Sequence, residues 1–199
     1  NRALLIMIKA TIFDLNGVFI RSLKLSDRFS EKFGVPPTEF VAALKDIMPK
    51  VRVPNAGDAF SYWKPYLDKW GVGLSREEFF DFWFSGEKED EEMVVLAREL
   101  KAKGLRIFIL SNNFAERANF YAKNFSFLKE ISDKIYYSWK TGFVKPNIEA
   151  YRLILSENNL KPEECVYFDD VEENIKVASS LRVNSYIFKD AETTRKIIE

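Results

Sequence analysis

Short apolar runs alternate with segments of helical periodicity over much of the chain. The apolar runs predict buried strands, at residues 8–15, 106–110, 134–137, 165–168 and 185–188. The periodic segments predict helices, at residues 115–124, 148–158 and 172–181. Alternating strands and helices are typical of βαβ units, so the pattern predicts an α/β fold with a Rossmann-like, three-layer parallel sheet.

The stretch between the first two predicted strands has no comparable strand run. It contains amphipathic segments separated by turn signals, and Ser75 with Glu78 forms the sequence pattern of a helix capping box. The acidic cluster at residues 87–92 predicts a solvated helix start. A helical module inserted after the first strand would cover the edge of the sheet where such folds bind ligands. We therefore predict a helical cap domain at 18–94 and an α/β core domain at 8–17 and 95–199.

The composition limits the binding partners and the reaction mechanisms that can be expected. The 199 residues include 30 basic and 30 acidic side chains, so net charge gives no reason to expect a nucleic acid or membrane partner. Histidine is absent from the sequence, which excludes mechanisms that need an imidazole. Cys165 stands alone in an apolar run, so we expect a buried thiol and a cytoplasmic location. The apolar stretch at residues 3–7 is too short to span a bilayer, and Met7 is a candidate natural start.

Four short motifs fall at the carboxyl ends of four predicted strands. Each alone is typical of a turn or a helix cap. They are Phe13-Asp14-Leu15-Asn16-Gly17-Val18, Leu110-Ser111-Asn112-Asn113, Val144-Lys145-Pro146, and Phe168-Asp169-Asp170 followed by Asn174. In this order the motifs resemble those of the haloacid dehalogenase superfamily, in the subclass with a helical cap between motifs one and two. The resemblance implies a Mg²⁺-dependent phosphatase that acts on small organic phosphate monoesters.

The chemistry of the side chains agrees with that resemblance. A carboxylate at the tip of a buried strand can attack a phosphoryl group, and a hard cation must then offset the repulsion between the two anions. The resemblance implies that Asp14 is the nucleophile and that Asp14 and Asp170 are Mg²⁺ ligands. It also implies that the backbone carbonyl of Asn16 is a third ligand, and that Asp169 contacts the metal indirectly or through water.

The second and third motifs are expected to bind the phosphoryl group. Ser111, Asn112 and the following backbone N–H groups would donate hydrogen bonds to its oxygens near a helix start. Lys145 would neutralise its charge and pair with the nucleophile. The alternatives are a helix cap for Ser111 and an ordinary loop residue for Lys145.

The first motif departs from the family pattern at Asn16. Most phosphatases of the family carry there an aspartate that acts as general acid and base, and an amide cannot exchange a proton near neutral pH. Three interpretations stay open: a phosphatase with slow turnover, a phosphate-binding protein without efficient hydrolysis, or an altered chain that traps a complex. Dehalogenation is a weaker alternative, because the paired Asp169-Asp170 is retained.

Aromatic residues are concentrated in the predicted cap, at residues 60–66 and 79–84. Helix packing is the expected role of the first segment, and a substrate pocket is the alternative. The second segment is dense enough that some of its rings should contact the core domain or a second subunit. The sequence is thus compatible with a monomer or a homodimer.

Overall fold

The computed structural model of the protein describes residues 8–198, and the candidate start at Met7 and the apolar stretch at 3–7 lie outside them. The strands of this part are Ala10–Phe13 (β1), Ile20–Ser22 (β2), Glu87–Glu89 (β3), Arg106–Ser111 (β4), Lys134–Tyr137 (β5), Cys165–Asp169 (β6) and Asn184–Ile187 (β7). The helices are Leu25–Phe33 (α1), Pro37–Val51 (α2), Ala59–Lys69 (α3), Arg76–Phe84 (α4), Glu91–Ala102 (α5), Ala115–Asn124 (α6), Phe127–Ile131 (α7), Ser138–Thr141 (α8), Ile148–Glu157 (α9), Glu172–Ser180 (α10) and Ala191–Ile198 (α11).

The main sheet has five parallel strands in the order β5-β4-β1-β6-β7. β1 lies at its centre, where Ala10 is opposite Arg106 on one side and Cys165 on the other. The predicted parallel sheet is therefore confirmed. Because all five strands run in the same direction, their carboxyl ends meet at one edge of the sheet.

Both faces of the sheet are covered by helices. Side chains alternate between the faces along each strand, so Phe13 packs with residues of α5 and α6, whereas Ile12 packs with residues of α9 and α10. Both side chains are completely buried. This burial on two sides explains why the strands read as continuous apolar runs in the sequence.

Helices α1–α4 form an insertion with an aromatic core of its own. Trp63 is completely buried, stacks on Phe40 with ring centroids 5.1 Å apart and contacts Phe79 at 5.2 Å. The packing role predicted for the aromatic residues is thus confirmed. Trp83 contacts Phe114 of the α/β core at 5.2 Å, so the insertion is also anchored to the sheet domain, as the density of rings predicted.

The ends of the insertion correct two predictions. The predicted module is purely helical, but β2 and β3 form an antiparallel two-stranded ribbon where the insertion begins and ends. Residues 87–92 do not form one solvated helix start, because Glu87–Glu89 is β3, Glu87 is buried, and α5 begins at Glu91. Strands of three residues, two of them exposed, are too short to show an alternating pattern.

Two smaller predictions are also tested by the fold. Ser75 accepts a hydrogen bond from the Glu78 backbone N–H at 3.2 Å and Glu78 accepts one from Ser75 at 2.8 Å, so the capping box is confirmed. Cys165 is completely buried, as predicted, and burial raises its pKa to about 12.

Within residues 8–198, no helix has both the length and the apolar character that crossing a bilayer requires.

Candidate active site

Asp14 follows the central strand β1 at the carboxyl edge of the sheet. Its backbone N–H donates to the Phe168 carbonyl at 2.9 Å, which continues the pairing with β6. Its Oδ1 accepts a hydrogen bond from the Leu15 backbone N–H at 2.7 Å, so the side chain has a fixed direction. Burial raises the pKa of Asp14 to about 6, although Lys145 favours the charged form. The predicted nucleophile is therefore a poorly hydrated carboxyl group.

Lys145 joins two of the predicted acidic residues. Its Nζ lies 2.8 Å from Asp14 Oδ1 and 2.6 Å from Asp169 Oδ2. Burial disfavours the ammonium charge, but the two carboxylates outweigh that effect and hold the pKa of Lys145 above its ordinary value. Lys145 consequently stays protonated near neutral pH, which suits charge neutralisation and not proton donation.

Asn112 holds the backbone of Lys145 in place. Its Oδ1 accepts from the Lys145 N–H at 2.7 Å and its Nδ2 donates to the Lys145 carbonyl at 2.8 Å. Both ends of the amide are thereby engaged in positioning the lysine. The phosphate contact that we expect from Asn112 stays a prediction, and the observed contacts give the residue a second role that sequence reasoning missed.

Three carboxylates lie where the resemblance places a metal. Oxygens of Asp14, Asp169 and Asp170 are all within 4.8 Å of one another. Burial, reinforced by the charge of Asp169, raises the pKa of Asp170. Carboxylate oxygens gathered in this way repel one another and are the ligands that a hard divalent cation prefers. The donor set therefore fits Mg²⁺.

Asp169 is distinguished from its neighbours by saturated hydrogen bonding. Its Oδ2 accepts from Lys145 and from the Tyr167 hydroxyl. Its Oδ1 accepts from Asn174 Nδ2 at 3.0 Å and from the Val171 N–H at 2.9 Å. Burial opposes its charge, but Lys145 and these donors outweigh burial and lower the pKa of Asp169. Such a carboxylate is suited to holding Lys145, in keeping with the indirect metal contact expected of it.

Asn16 forms hydrogen bonds through both ends of its side-chain amide. Its Nδ2 donates to the Tyr121 hydroxyl oxygen at 2.6 Å, and its Oδ1 accepts from Asn113 Nδ2 at 3.3 Å. Tyr121 in turn donates to Glu87 Oε2 at 3.1 Å. Because the phenol proton is directed to Glu87, Tyr121 can only accept from residue 16. The surrounding network is matched to asparagine at this position.

Ser111 is the last residue of β4 and directly precedes Asn112. Its side chain is buried, and its Oγ has no hydrogen-bond partner among residues 8–198. An unmet buried hydroxyl is costly unless something else accepts its proton. This observation agrees with the phosphoryl contact predicted for Ser111 and argues against its role as a helix cap, since α6 begins at Ala115.

A cavity of about 180 Å³ lies at this site, and Ser111, Asp169 and Asp170 are not among its lining residues. Core residues that line it include Asp14, Asn16, Asn112 and Lys145. Two arginines that the sequence does not single out, Arg52 and Arg117, also line it. Arg52 directly follows α2, so the helical insertion supplies part of the cavity wall. A lone arginine before a turn is typical of an exposed surface, and no sequence signal separates it from other arginines.

Arg117 connects the cavity to the ribbon at the base of the insertion. It donates to Glu87 Oε1 from Nε at 2.9 Å, and from Nη2 to Ser22 Oγ at 3.0 Å. Ser22 and Glu87 lie opposite each other in β2 and β3. The contacts fix the ribbon to α6, and they give the buried Glu87 the positive partner that its burial requires.

Gly17 provides a local test of the metal site. Its φ is +91°, and a Cβ at this position would lie 2.8 Å from Asp170 Oδ2. We expect Gly17→Ala to cost about 1–2 kcal/mol through backbone strain and also to displace the Asp170 carboxylate. We expect Mg²⁺ to raise the urea midpoint of the parent protein, and the variant should lose most of that rise.

Gly34→Ala is the matched control for this substitution. Gly34 has a φ of +73°, but a methyl group on its Cα would have no atom within 4 Å. It should show a similar loss of stability with an unchanged response to Mg²⁺. Equal Mg²⁺ responses of the two variants would contradict the assignment of Asp170 as a ligand.

Comparison with known proteins identifies the family. The profile of the haloacid dehalogenase-like hydrolases matches residues 8–181. The chain belongs to this family. The resemblance stated from the four motifs is thereby confirmed, and the protein is a haloacid dehalogenase-like hydrolase with an α/β core and a helical insertion.

Solved structures show the same fold. A haloacid dehalogenase family enzyme from Bacteroides thetaiotaomicron, bt-2542, is 21% identical, with a TM-score of 0.81 over 97% of this chain and 99% of its own. Its magnesium and inorganic phosphate complex has a TM-score of 0.78 at 21% identity, over 96% of this chain and 100% of that one.

A curated relative is bifunctional epoxide hydrolase 2 from Sus scrofa, which is 27% identical over 96% of this chain. This chain spans only 38% of that relative's length. Sesquiterpene phosphatase astK from Aspergillus oryzae is 28% identical over 47% of each chain. These proteins are similar in sequence to this chain, and the activities in their names are stated of those proteins alone.

Proposed function

We propose that this hydrolase is a Mg²⁺-dependent phosphatase that acts on small organic phosphate monoesters through an aspartyl-phosphate at Asp14. One observation carries the proposal: the Asp14 carboxylate lines a small cavity, 2.8 Å from a buried lysine and beside two further aspartates. A relative named as a phosphatase and a similar structure that holds magnesium and phosphate support it.

In the first step, an Asp14 carboxylate oxygen attacks phosphorus and the bond to the leaving oxygen breaks. Lys145 offsets the negative charge of the phosphoryl group, and Ser111 Oγ donates a hydrogen bond to one of its oxygens. Mg²⁺, held by Asp14 and Asp170 with the Asn16 carbonyl, would reduce repulsion between the nucleophile and the phosphoryl group. The leaving oxygen takes its proton from water or from the substrate.

In the second step, water attacks phosphorus and the bond to Asp14 breaks, which releases inorganic phosphate. The attacking water must lose a proton. The Asn16 amide cannot accept it, and Lys145 already carries its full complement of protons. We therefore propose that turnover is slow. A protein that binds phosphate esters without hydrolysing them efficiently is the alternative, and the amide at position 16 is the observation that favours it.

Phosphate release from a panel of small phosphate esters tests the proposal. With Mg²⁺ present we expect slow release of inorganic phosphate that exceeds the uncatalysed rate and stops when a chelator removes the metal. Restoring Mg²⁺ in excess of the chelator should restore the rate. A folded protein that binds Mg²⁺, and from which no ester releases phosphate, would favour the binding alternative.

A further inference from the structure

Arg52 is an unpaired cation within the cavity. Its side chain is half-buried, and its Nε is inaccessible to solvent and has no hydrogen-bond partner in the described part of the chain. No carboxylate of residues 8–198 forms an ion pair with it, whereas the neighbouring Arg117 is paired with Glu87. A buried polar N–H without a hydrogen-bond partner, on a charged group without an ion-pair partner, is unfavourable. Such a group is commonly retained where it meets a ligand.

The charged groups around Arg52 do not neutralise it. Burial and then repulsion from Arg117 lower its pKa to about 10, while Asp14 opposes that change. Asp14 already has Lys145 at 2.8 Å. The cavity wall on the side of the insertion thus carries positive charge that no protein group within the described chain neutralises.

The two ends of the cavity are supplied by different parts of the fold. Asp14 directly follows β1 and Lys145 lies in the loop between α8 and α9, so both come from the α/β core, where the phosphoryl group is expected to bind. Arg52 comes from the end of α2 in the insertion. A substrate whose phosphoryl group lies on Asp14 would direct its leaving group toward the insertion. Arg52 is therefore placed for contact with the leaving group.

We propose that Arg52 selects phosphate monoesters whose leaving group carries a second anionic group, either a carboxylate or another phosphate. A planar guanidinium suits both groups because it can donate two parallel hydrogen bonds. The cavity volume of about 180 Å³ lies below the roughly 300–1,000 Å³ of sites for drug-sized ligands. The two anionic groups are thus separated by only a few atoms. This inference rests on the proposed phosphatase function and defines its substrate class.

Matched substrates test the inference. The first pair is carboxymethyl phosphate and its amide, and the second is ethane-1,2-diyl bisphosphate and ethyl phosphate. In each pair the first compound has an anionic leaving group and is called the charged member, and the second has a neutral leaving group and is called the uncharged member. We expect a higher kcat/KM for the charged member of at least one pair, and the pair that responds identifies the second anion. Arg52→Met should lower kcat/KM for that charged member by roughly 10–150-fold, the value of a charge-assisted hydrogen bond. The uncharged member should change by less than about threefold.

Lys45→Met is the matched control. Lys45 lies in α2 and is exposed, so its replacement removes the same charge outside the cavity and should leave both pairs unchanged. Arg52→Lys should retain part of the preference, since it keeps the charge without the planar donor pair. Thermal melting of every variant establishes that the protein is folded. An equal loss for both members of each pair, or no loss for either, would overturn the proposal.

A binding measurement separates this inference from the proposed function. Calorimetry with Mg²⁺ compares phosphonoacetate with phosphonoacetamide, neither of which contains an ester bond to hydrolyse. If no ester is hydrolysed, but phosphonoacetate binds more tightly and loses that advantage in Arg52→Met, the phosphatase proposal fails and the Arg52 assignment stands. Equal affinities for the two compounds in both proteins would overturn the assignment, whatever the activity.

Discussion

Asp14→Asn is expected to lower the rate of phosphate release by at least about 10³-fold, because an amide oxygen is a poor nucleophile and cannot accept the phosphoryl group stably. The substitution also removes one anionic ligand from the carboxylate cluster, so Mg²⁺ should bind more weakly. Rates from single-turnover assays and Mg²⁺ titration of thermal stability measure the two effects.

The fold should survive this change. Lys145 keeps its contact with Asp169 at 2.6 Å, and the substitution removes a carboxyl group whose charge is disfavoured by burial. Asp81→Asn, at an exposed position of α4, is the control and should behave like the parent protein. Unchanged turnover in folded Asp14→Asn would exclude the aspartyl-phosphate mechanism.

Asn16→Asp is expected to raise kcat by about 10²–10⁴-fold, the usual contribution of a general acid and base. The structure adds a condition to this expectation. Tyr121 directs its proton to Glu87 and receives a hydrogen bond at 2.6 Å from the Asn16 amide. A new carboxyl group satisfies the same contact only in its protonated form, which favours a carboxylic acid that can donate to the leaving oxygen.

The pH dependence of kcat distinguishes this effect from a general improvement of the site. The substituted protein should gain a titrating limb that the parent lacks, and Asn16→Ala should gain neither the limb nor the rate. If the rise occurs, the remaining machinery is competent and asparagine limits turnover. A folded Asn16→Asp protein that binds Mg²⁺ without any gain in kcat would instead favour the phosphate-binding role.

The local hydrophobic pattern predicted the bounds of an element correctly where one periodicity dominates the segment. Residues 134–137 and 115–124 match the observed bounds of β5 and α6, because the strand is apolar and the helix has a clear amphipathic repeat. The end of β1 before Asp14 was also predictable, since a polar residue and a turn signal interrupt the run. The ribbon of β2 and β3 was not, because its pairing joins residues 65 or more apart in the chain.

The sequence by itself determined the family, the parallel sheet and the acidic residues at its edge, because each of these residues ends or directly follows a strand with strong local preferences. Lys145 was identified from its motif alone, since it lies in the loop between α8 and α9 and not at the end of β5. Only the tertiary structure decided how their charges are shared. Lys145 serves two carboxylates, Asn112 holds its backbone, and Arg52 reaches the same cavity from the insertion. Burial and electrostatic pairing depend on which distant segments meet, and no local period in the chain records that information.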